Sequence, residues 1–577
     1  MNTNDFIMKI KALLQKRTTR FLDPIDCCIM CILCLIFAIL AFYRLGNSYA
    51  PETTYTTTTS AGDIILDLGD YTDVSYLSVF LGNLNTRALS ISSYNVDQGT
   101  WDVLNGDAKA ESVFAWNRID INQNIRYLGL VATDDVARFN ELVIVKSDGT
   151  ILTPLNSAEY PELFDEQDKF DPVKTYMNGT MFDEVYHGRT AYEFIHGLTT
   201  YETTHPPFGK IIIAIGVLIF GMNPFGWRFM SVIFGILIIP VMYLFAKKLF
   251  KNRFITTATT TLFVFEFMHY SLSRIATIDI FAAFFILLMY YFLYDYFCKD
   301  TLQRTLQKKY KVIPREVLLP LALCGITMGF GIATKWTGIY AGAGLGILFI
   351  WYFFKFLPRQ PMKLIGFCCI FFIGIPGLLY ILSFIPVIGY TEFNGLLDKV
   401  IKNTQYMFDY HANLVATHYY ASPFYEWPIV KMPLLYASDM VNETDVSCVS
   451  CMGNPVIYWS GIPCIFYMFY LWFLKSDKKS GFLCISYLAQ YLPWFGISRI
   501  TFIYHYFPSS LFMLLMIGYT MCKLYEWKPV AGKKIIYAYC TIAIIAFIMF
   551  FPAISGVPVY KEWVYHLRLM KNWILAI

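Results

Sequence analysis

Runs of apolar residues, each about as long as a membrane-crossing helix, recur along most of this 577-residue chain. A hydrocarbon core about 30 Å thick is crossed by about 20 apolar residues in helical conformation. Hydrophobic residues make up 56% of the sequence, which excludes an ordinary soluble globular domain. We therefore predict a polytopic α-helical membrane protein. Its first run is a retained anchor, because no small-residue cleavage pattern follows it.

The basic residues between the runs indicate the orientation of the chain, since loops rich in lysine and arginine stay cytoplasmic. One short run, residues 208–222, is flanked by His205-Pro206-Pro207 and Asn223-Pro224. If it enters the outer interface and returns without crossing, every strongly basic loop is cytoplasmic. The amino terminus is then cytoplasmic and the carboxyl terminus external. About eleven spans remain, at residues 27–43, 227–246, 255–270, 278–297, 317–332, 338–354, 364–385, 456–474, 481–497, 503–522 and 535–552.

This topology divides the chain into seven parts. Residues 1–46 are the cytoplasmic amino terminus and the first span, 227–385 hold the next six spans, and 456–552 hold the last four. The other parts are external: an insertion at 47–160, a polar loop with the half-inserted segment at 161–226, a loop at 386–455 and a tail at 553–577.

The insertion has a different pattern, with short stretches in which apolar and polar residues alternate. Residues 63–69, 74–81, 89–93, 126–131 and 141–145 predict strands, and Asp148-Gly149 predicts a hairpin turn. We predict a β-sandwich, with the threonine-rich residues 53–59 as a linker. The stretches DIILDLGDY, GTWDVL and NELVIVKSDGT resemble discoidin-like, galactose-binding jelly rolls. That resemblance implies carbohydrate binding. The open alternative is a domain that only packs against the rest of the protein or acts as a spacer.

Metal and nucleic acid are not indicated as ligands. The net charge is only +4 and the basic residues are dispersed, which excludes a nucleic-acid surface. No spacing of cysteine, histidine and carboxylate resembles a zinc site, and no glycine-rich phosphate loop occurs. Most of the fourteen cysteines lie in apolar runs. For Cys448 and Cys451, a disulfide and two free thiols both stay open.

Ionisable residues are costly near a membrane unless they meet water, a partner or a ligand. In the predicted topology they collect on the outer side, at Asp183, Glu184, His187, Arg189, His205, Arg228, Arg274, Asp279, Lys335, His411, His418, Glu426 and Arg499. Transporters place such residues near the bilayer midplane instead. This distribution therefore favours a reaction or binding site at the outer surface.

The motifs around these residues resemble, in order, those of the protein O-mannosyltransferase family of the GT-C superfamily. They are FDEVYHGR (182–189), THPPFGK (204–210), SRIATID (273–279), TKWTG (334–338), YHANLVATHYYASPFYEWP (410–428), GNPVIYW (453–459) and YLPWFGISRITFIYHYFP (491–508). The resemblance covers about 170–560. Loop 386–455 is too short for the β-trefoil domain of eukaryotic members, so the chain looks like a prokaryotic one.

The resemblance implies an inverting transfer in which Asp183 accepts the proton of the acceptor hydroxyl, with Glu184 in support. Cationic side chains would hold the donor phosphate or sugar: Arg228, Arg274, Lys335 and Arg499, with His205 beside them. For each of the cations, pairing with a carboxylate is the alternative. Further candidate acceptor or sugar contacts are His187, His411, His418, Tyr420 and Trp427. The family motif often reads Val-His-Phe-Gly, so the histidine here is displaced and its family role is not carried over to His187.

The predicted function is transfer of mannose from polyprenyl-phosphate mannose to Ser/Thr hydroxyls of proteins, at the outer face of the plasma membrane. The expected partners are the lipid carrier and a Ser/Thr-rich protein, with no prosthetic group. A divalent cation at Asp183 and Glu184 is left open but not predicted. The alternatives are a GT-C enzyme that uses another sugar or a wall-polymer or lipid acceptor, a carbohydrate-binding membrane protein, and a transporter. The oligomeric state is not indicated.

Overall fold

A computed structural model describes residues 21–58, 63–82, 89–110, 112–132, 136–306, 315–356, 360–389 and 392–577. The predictions that rest on the basic residues of 1–20, on Lys308, Lys309 and Lys311, and on Arg359 lie outside these ranges.

The helices of the described residues are numbered in chain order. They are α1 Pro24–Phe42, α2 Glu184–His196, α3 Phe208–Phe220, α4 Pro224–Phe250, α5 Arg253–Val264, α6 Phe267–Leu272, α7 Asp279–Leu306, α8 Arg315–Thr334, α9 Thr337–Lys355, α10 Pro361–Cys369, α11 Ile375–Ser383, α12 Leu396–Asn413, α13 Pro455–Lys475, α14 Lys478–Tyr491, α15 Phe507–Trp527, α16 Pro529–Ser555 and α17 Lys561–His566. A π-helical turn, Ile370–Gly374, joins α10 to α11.

Nine helical segments within the described ranges are long and apolar enough to cross a membrane. They confirm a polytopic helical protein. They are α1, α4, Asp279–Thr301 of α7, α8, α9, Pro361–Ser383, α13, Ile503–Trp527 and α16.

Two of the eleven predicted spans are not such segments. The predicted span 255–270 is the 12-residue helix α5, followed by a break and the short helix α6. The break occurs because the Glu266 carboxylate accepts the backbone N–H groups of Met268 and His269, which starts a new helix. The predicted span 481–497 is the 14-residue helix α14, which ends before Pro493. Proline has no N–H to continue the helix.

The short apolar run before α4 is helical but brief. Helix α3 has 13 residues, or about 20 Å at 1.5 Å per residue, which is less than a hydrocarbon core. It lies against the start of α4 so closely that a Cβ on Gly216 would be 2.4 Å from the carbonyl oxygen of Gly226. Its length agrees with the predicted half-insertion, which stays a prediction.

The insertion consists of antiparallel strands around a core of its own. A six-stranded sheet has the order β4-β3-β5-β2-β7-β8, and β1 pairs with β6 in a two-stranded sheet that shares this core through Phe139. The strands are β1 Tyr55–Thr58, β2 Asp63–Leu81, β3 Leu89–Asn95, β4 Thr100–Ala108, β5 Ala115–Ala132, β6 Val136–Phe139, β7 Glu141–Lys146 and β8 Ile151–Leu152.

Two local predictions for the insertion were wrong. The predicted strands 63–69 and 74–81 are one strand, β2, whose pairing with β5 shifts register between Asp67 and Thr72. Such irregularities bend a strand without ending it. Part of the predicted threonine-rich linker is strand β1, since β-branched threonine suits a strand.

A second, small sheet ties the carboxyl-terminal tail to loop 386–455. It has the order β11-β10-β9, from Leu434–Met440 (β9), Asp445–Cys451 (β10) and Val559–Tyr560 (β11). Beyond it, the buried Trp573 indole N–H donates to the Val430 carbonyl at 2.7 Å. Cys448 and Cys451 are buried free thiols. The tail therefore packs against loop 386–455 and is an integral part of the fold.

Candidate active site

Asp183 precedes the first residue of α2, the position where aspartate ordinarily caps a helix. Its side chain makes no capping hydrogen bond, and no described residue gives its carboxylate a hydrogen bond or an ion pair. The preceding Phe182 has a φ of 45°, in the left-handed region that a bulky residue rarely adopts. This local conformation leaves the Asp183 carboxylate available to a substrate.

The surroundings of Asp183 suit a proton acceptor. The pKa of Asp183 is raised to about 7, mainly by burial and also by the charges of Asp279 and Glu202, although the charge of Lys335 acts to lower it. A base is most effective when its pKa lies near the working pH. Asp183 therefore has both a free carboxylate and a suitable pKa.

Lys335, whose charge acts on Asp183, also lines a cavity of about 450 Å³, although Asp183 is not one of its lining residues. Four of the predicted site residues line it: His205, Lys335, His411 and Arg499. Aromatic side chains form much of the remaining wall, including Trp336, Tyr340, Phe408 and Trp494. The cavity combines cations with apolar surface, which fits a ligand that has an anionic and a less polar part.

The two cations of the cavity differ in their partners. The Lys335 ammonium is 2.7 Å from an Asp279 carboxylate oxygen, so its charge is largely neutralised. Arg499 makes no hydrogen bond or ion pair with any residue that the structure describes. A guanidinium with free N–H groups can bind phosphate through two hydrogen bonds. Arg499 is therefore the stronger candidate for holding a phosphate.

Arg228 lies apart from this cavity and is fully buried. Its guanidinium donates twice to Glu184, at 2.7 Å each, and to the carbonyls of Leu45, Tyr176 and Gly179. All five N–H donors are thus used. The predicted phosphate contact is opposed by these bonds, because no donor is left for a ligand.

Both carboxylate oxygens of Glu184 also accept hydrogen bonds within the protein. Besides the two bonds from Arg228, its oxygens accept the backbone N–H groups of Met181 and Ala276 at 2.7 and 2.9 Å. Glu184 thereby holds the loop before α2 against the segment before α7. These bonds leave little of the Glu184 carboxylate for a cation beside Asp183, and its supporting role in the reaction stays a prediction.

Arg274 also has a different environment from the predicted one. It is buried and donates to backbone carbonyls of Ala41, Tyr43 and Arg44 at the end of α1, and to that of Ser555 at the end of α16. These contacts join two helix ends where carbonyls lack helical partners. These carbonyls take four of the five N–H donors of the buried Arg274 guanidinium, which opposes its predicted phosphate contact.

Two family profiles match most of the chain. The profile described as dolichyl-phosphate-mannose-protein mannosyltransferase matches residues 163–393, and that of the C-terminal four-transmembrane region of protein O-mannosyltransferase matches 396–573. The chain belongs to the protein O-mannosyltransferase family. The candidate cavity draws residues from both matched regions.

Bacterial members of the protein O-mannosyltransferase family are similar over most of their length. The polyprenol-phosphate-mannose–protein mannosyltransferase of Mycobacterium tuberculosis is 21% identical over 66% of this chain and 84% of its own. That of Corynebacterium glutamicum is 24% identical over 68% and 88%. The Saccharomyces cerevisiae protein O-mannosyltransferase Pmt1–Pmt2 complex, solved with its sugar donor, aligns with a TM-score of 0.60 at 14% identity, over 68% of this chain and 89% of that one. This likeness confirms the predicted GT-C fold.

A buried network in this O-mannosyltransferase family member, centred on Glu202 and Lys210, was missed by sequence reasoning. The Lys210 ammonium pairs with the Glu202 carboxylate, which also lies 3.3 Å from His205 Nδ1 and 3.8 Å from His187 Nδ1. Burial alone would raise the pKa of Glu202, but Lys210 and His205 hold it well below its usual range. Lys210 was visible as the last residue of the THPPFGK motif, whereas Glu202 had no signal.

The three histidines near this network are kept neutral. Burial lowers the pKa of His187 to about 3 and that of His411 to about 4, and it also lowers the pKa of His205. His205 is in ring contact with both of the others, at centroid distances of 5.8 Å to His187 and 5.3 Å to His411. They therefore act as uncharged hydrogen-bonding groups. His187 is buried behind the cavity and does not line it.

The remaining predicted contacts, Trp427, Tyr420 and His418, do not line the cavity. Trp427 is fully buried, donates to the carbonyl of Ser422 at 3.1 Å and packs on Trp494. Tyr420 is also buried. These contacts oppose a sugar-binding role for Trp427. His418 is exposed and lies 6.3 Å, between ring centroids, from Phe182, next to Asp183, so a contact with an acceptor stays a prediction.

Proposed function

We propose that this chain transfers mannose from polyprenyl-phosphate mannose to serine or threonine hydroxyls of proteins, with Asp183 as the base. The observation that carries the proposal is that neither the Asp183 carboxylate nor the Arg499 guanidinium has a hydrogen-bond or ion-pair partner within the described part of the chain. These groups meet the two needs of the reaction, a proton acceptor and a partner for the departing phosphate. The printed names of the bacterial relatives support the donor and the protein acceptor.

Each bond in the proposed step has a group that assists it. The acceptor oxygen forms a bond to the anomeric carbon as the bond from that carbon to the phosphate oxygen breaks. The departing polyprenyl phosphate takes the electron pair, and Asp183 takes the hydroxyl proton. Attack opposite the leaving group inverts the anomeric configuration. One base is enough, because no sugar–enzyme intermediate has to be hydrolysed.

Arg499 and Lys335 act on the phosphate side of the reaction. Charge develops on the phosphate oxygen as the sugar departs, and fixed cations stabilise that charge without further reorganisation. Arg499 provides direct hydrogen bonds. Lys335 is paired with Asp279 at 2.7 Å, so it stabilises the phosphate charge less than Arg499 does. It also lowers the pKa of Asp183.

The proposed site faces outward from the plasma membrane. The support is the charge pattern of the loops, with basic residues at the opposite helix ends. The insertion would then lie outside the cell, next to the acceptor. Its binding to carbohydrate stays part of the proposal.

The proposal is tested by incubating the purified protein with polyprenyl-phosphate [³H]mannose and a Ser/Thr-rich peptide. We expect label in the peptide, with a loss of at least about 100-fold in Asp183→Asn. Asp168→Asn, which removes an exposed carboxylate outside the site, is the matched control and should transfer normally. Label in a lipid or glycan fraction instead of the peptide would contradict the protein acceptor. Labelling only from another sugar donor would contradict mannose.

A further inference from the structure

Three carboxylates meet where the insertion joins the chain that leads to Asp183. Glu141 is the first residue of β7, and Asp165 and Glu166 follow the last strand of the six-stranded sheet. One oxygen of each lies within 4.8 Å of the others. Oxygens at this separation can reach a common calcium ion at about 2.4 Å each. None of the three residues lines the candidate active-site cavity.

The Glu141 side chain supplies an independent sign of a missing partner. It is 0% exposed, and one carboxylate oxygen, Oε1, has no hydrogen-bond partner among the described residues. The other oxygen accepts the backbone N–H of Glu166 at 2.8 Å, which directs the side chain into the cluster. A buried carboxylate oxygen without a partner is costly, so a cation at this place would stabilise it.

The protein charge near the cluster is not balanced. Lys169 donates to Glu166 and to the Ala50 carbonyl, and the described residues give Glu141 and Asp165 no ion pair. Three carboxylates and one ammonium leave an excess of negative charge that a divalent cation would neutralise. This excess is the second reason to expect a metal ion at the cluster.

Hydrogen bonds hold the two surface carboxylates in place. The backbone N–H groups of Glu52 and Thr53 donate to Glu166 at 2.6 and 3.1 Å, and the Thr53 hydroxyl donates to Asp165 at 2.9 Å. These residues belong to the segment between α1 and β1. The cluster is therefore built from three separate stretches of chain, and its geometry does not depend on flexible surface side chains alone.

We propose that Glu141, Asp165 and Glu166 bind one Ca²⁺ ion, with water completing its coordination. A set of carboxylate oxygens selects hard cations. Mg²⁺ demands near-ideal octahedral geometry at shorter distances, whereas Ca²⁺ accepts irregular sets such as this one. The ion joins strand β7 to the segment after β8, which Glu52 and Thr53 link by hydrogen bonds to the segment after α1. It fixes the insertion to the chain that continues to Asp183, and it does not depend on the proposed function.

The test uses the full-length protein in detergent, stripped with EGTA and then titrated with ⁴⁵Ca²⁺ in equilibrium dialysis. We expect one saturable ion per chain, and a rise in the thermal unfolding temperature with added Ca²⁺ because the ion binds only the folded state. Mg²⁺ at the same concentration should raise that temperature less.

Three variants test whether these carboxylates are the ligands of the ion. Glu141→Gln and Asp165→Asn should each weaken Ca²⁺ binding at least about tenfold, since ligand charge sets the affinity. Asp168→Asn, which removes an exposed carboxylate of the same segment, should bind as the wild type does. Asp165 is exposed, so its variant carries the test alone if Glu141→Gln does not fold. Absence of saturable binding, as expected if Glu141 is simply protonated, would overturn the proposal, and so would equal binding by all variants.

Discussion

Arg228 and Arg499 carry the same guanidinium group in different surroundings. Arg228 has five protein acceptors and no exposure, whereas Arg499 lines a cavity with no partner among the residues described. The first arrangement stabilises the loop that carries Asp183, and the second is available to a ligand. The sequence predicted that both arginines lie at the outer side of the membrane. It could not predict their different roles, because these depend on partner atoms from distant segments of the chain.

This difference predicts opposite effects of one substitution at the two positions. Arg228→Gln should cost about 3–5 kcal/mol of stability, because it leaves the buried Glu184 carboxylate without its cation. Arg499→Gln should leave the unfolding temperature unchanged and lower kcat/KM for mannose transfer about 100-fold or more. Lys402→Gln, at an exposed lysine of α12, is the control for both measurements. A stable but inactive Arg228→Gln protein would contradict the structural role.

The raised pKa of Asp183 predicts the pH dependence of the reaction. Below a pKa of about 7 the carboxyl is protonated and cannot accept a proton, and above it the carboxylate is ionised. The value of kcat/KM should therefore rise with pH up to about 7 and then level off. In Lys335→Met the rise should move to higher pH, because the charge that lowers the pKa of Asp183 is gone. A profile without a rise near pH 7 in the wild type would contradict Asp183 as the base.

Helices and strands were predicted correctly where a local pattern of apolar and polar residues determines them. Apolar runs predicted nine of the spans, and alternation predicted the sheet of the insertion. Errors arose where a single side chain changed the backbone, as at Glu266, or where irregular pairing kept a strand continuous, as in β2. Such effects depend on partners, so a pattern of apolar and polar residues does not contain them.

The close contact of α3 with α4 predicts an effect of adding one methyl group. Gly216→Ala should destabilise the protein by about 1–3 kcal/mol, since the new Cβ would lie 2.4 Å from the Gly226 carbonyl. Gly346→Ala in α9 adds the same methyl group where nothing lies within 4 Å. It should be neutral or slightly stabilising, because alanine favours helix. Thermal unfolding of both variants makes the comparison, and equal unfolding temperatures would contradict the close contact.

At the scale of the whole molecule, composition and ordered motifs predicted the membrane fold, and the sequence predicted four residues of the cavity wall. It did not predict Glu202, because a lone glutamate in a polar loop has no distinguishing pattern. Nor did it separate Arg228 and Arg274 from Arg499. Chain order shows which residues are charged, whereas pairing depends on segments that meet only in the fold.

The orientation predicts which positions an impermeant thiol reagent reaches in intact cells. A cysteine at Met440, in the second external loop, should be labelled from outside. A cysteine at Lys475, in the last turn of α13, should be labelled only after permeabilisation, because its basic loop is predicted to be cytoplasmic. The native cysteines provide the background in the parent protein. The reverse labelling pattern would overturn the topology and the external site.

The most direct test of Asp183 as the base is a single-turnover measurement with donor and acceptor already bound to Asp183→Asn. We predict a transfer rate lower by at least about 100-fold, because the proton acceptor is lost. The affinity for polyprenyl-phosphate mannose should be nearly unchanged, because Arg499 and the cavity remain. A rate equal to that of the wild type would show that Asp183 is not the base.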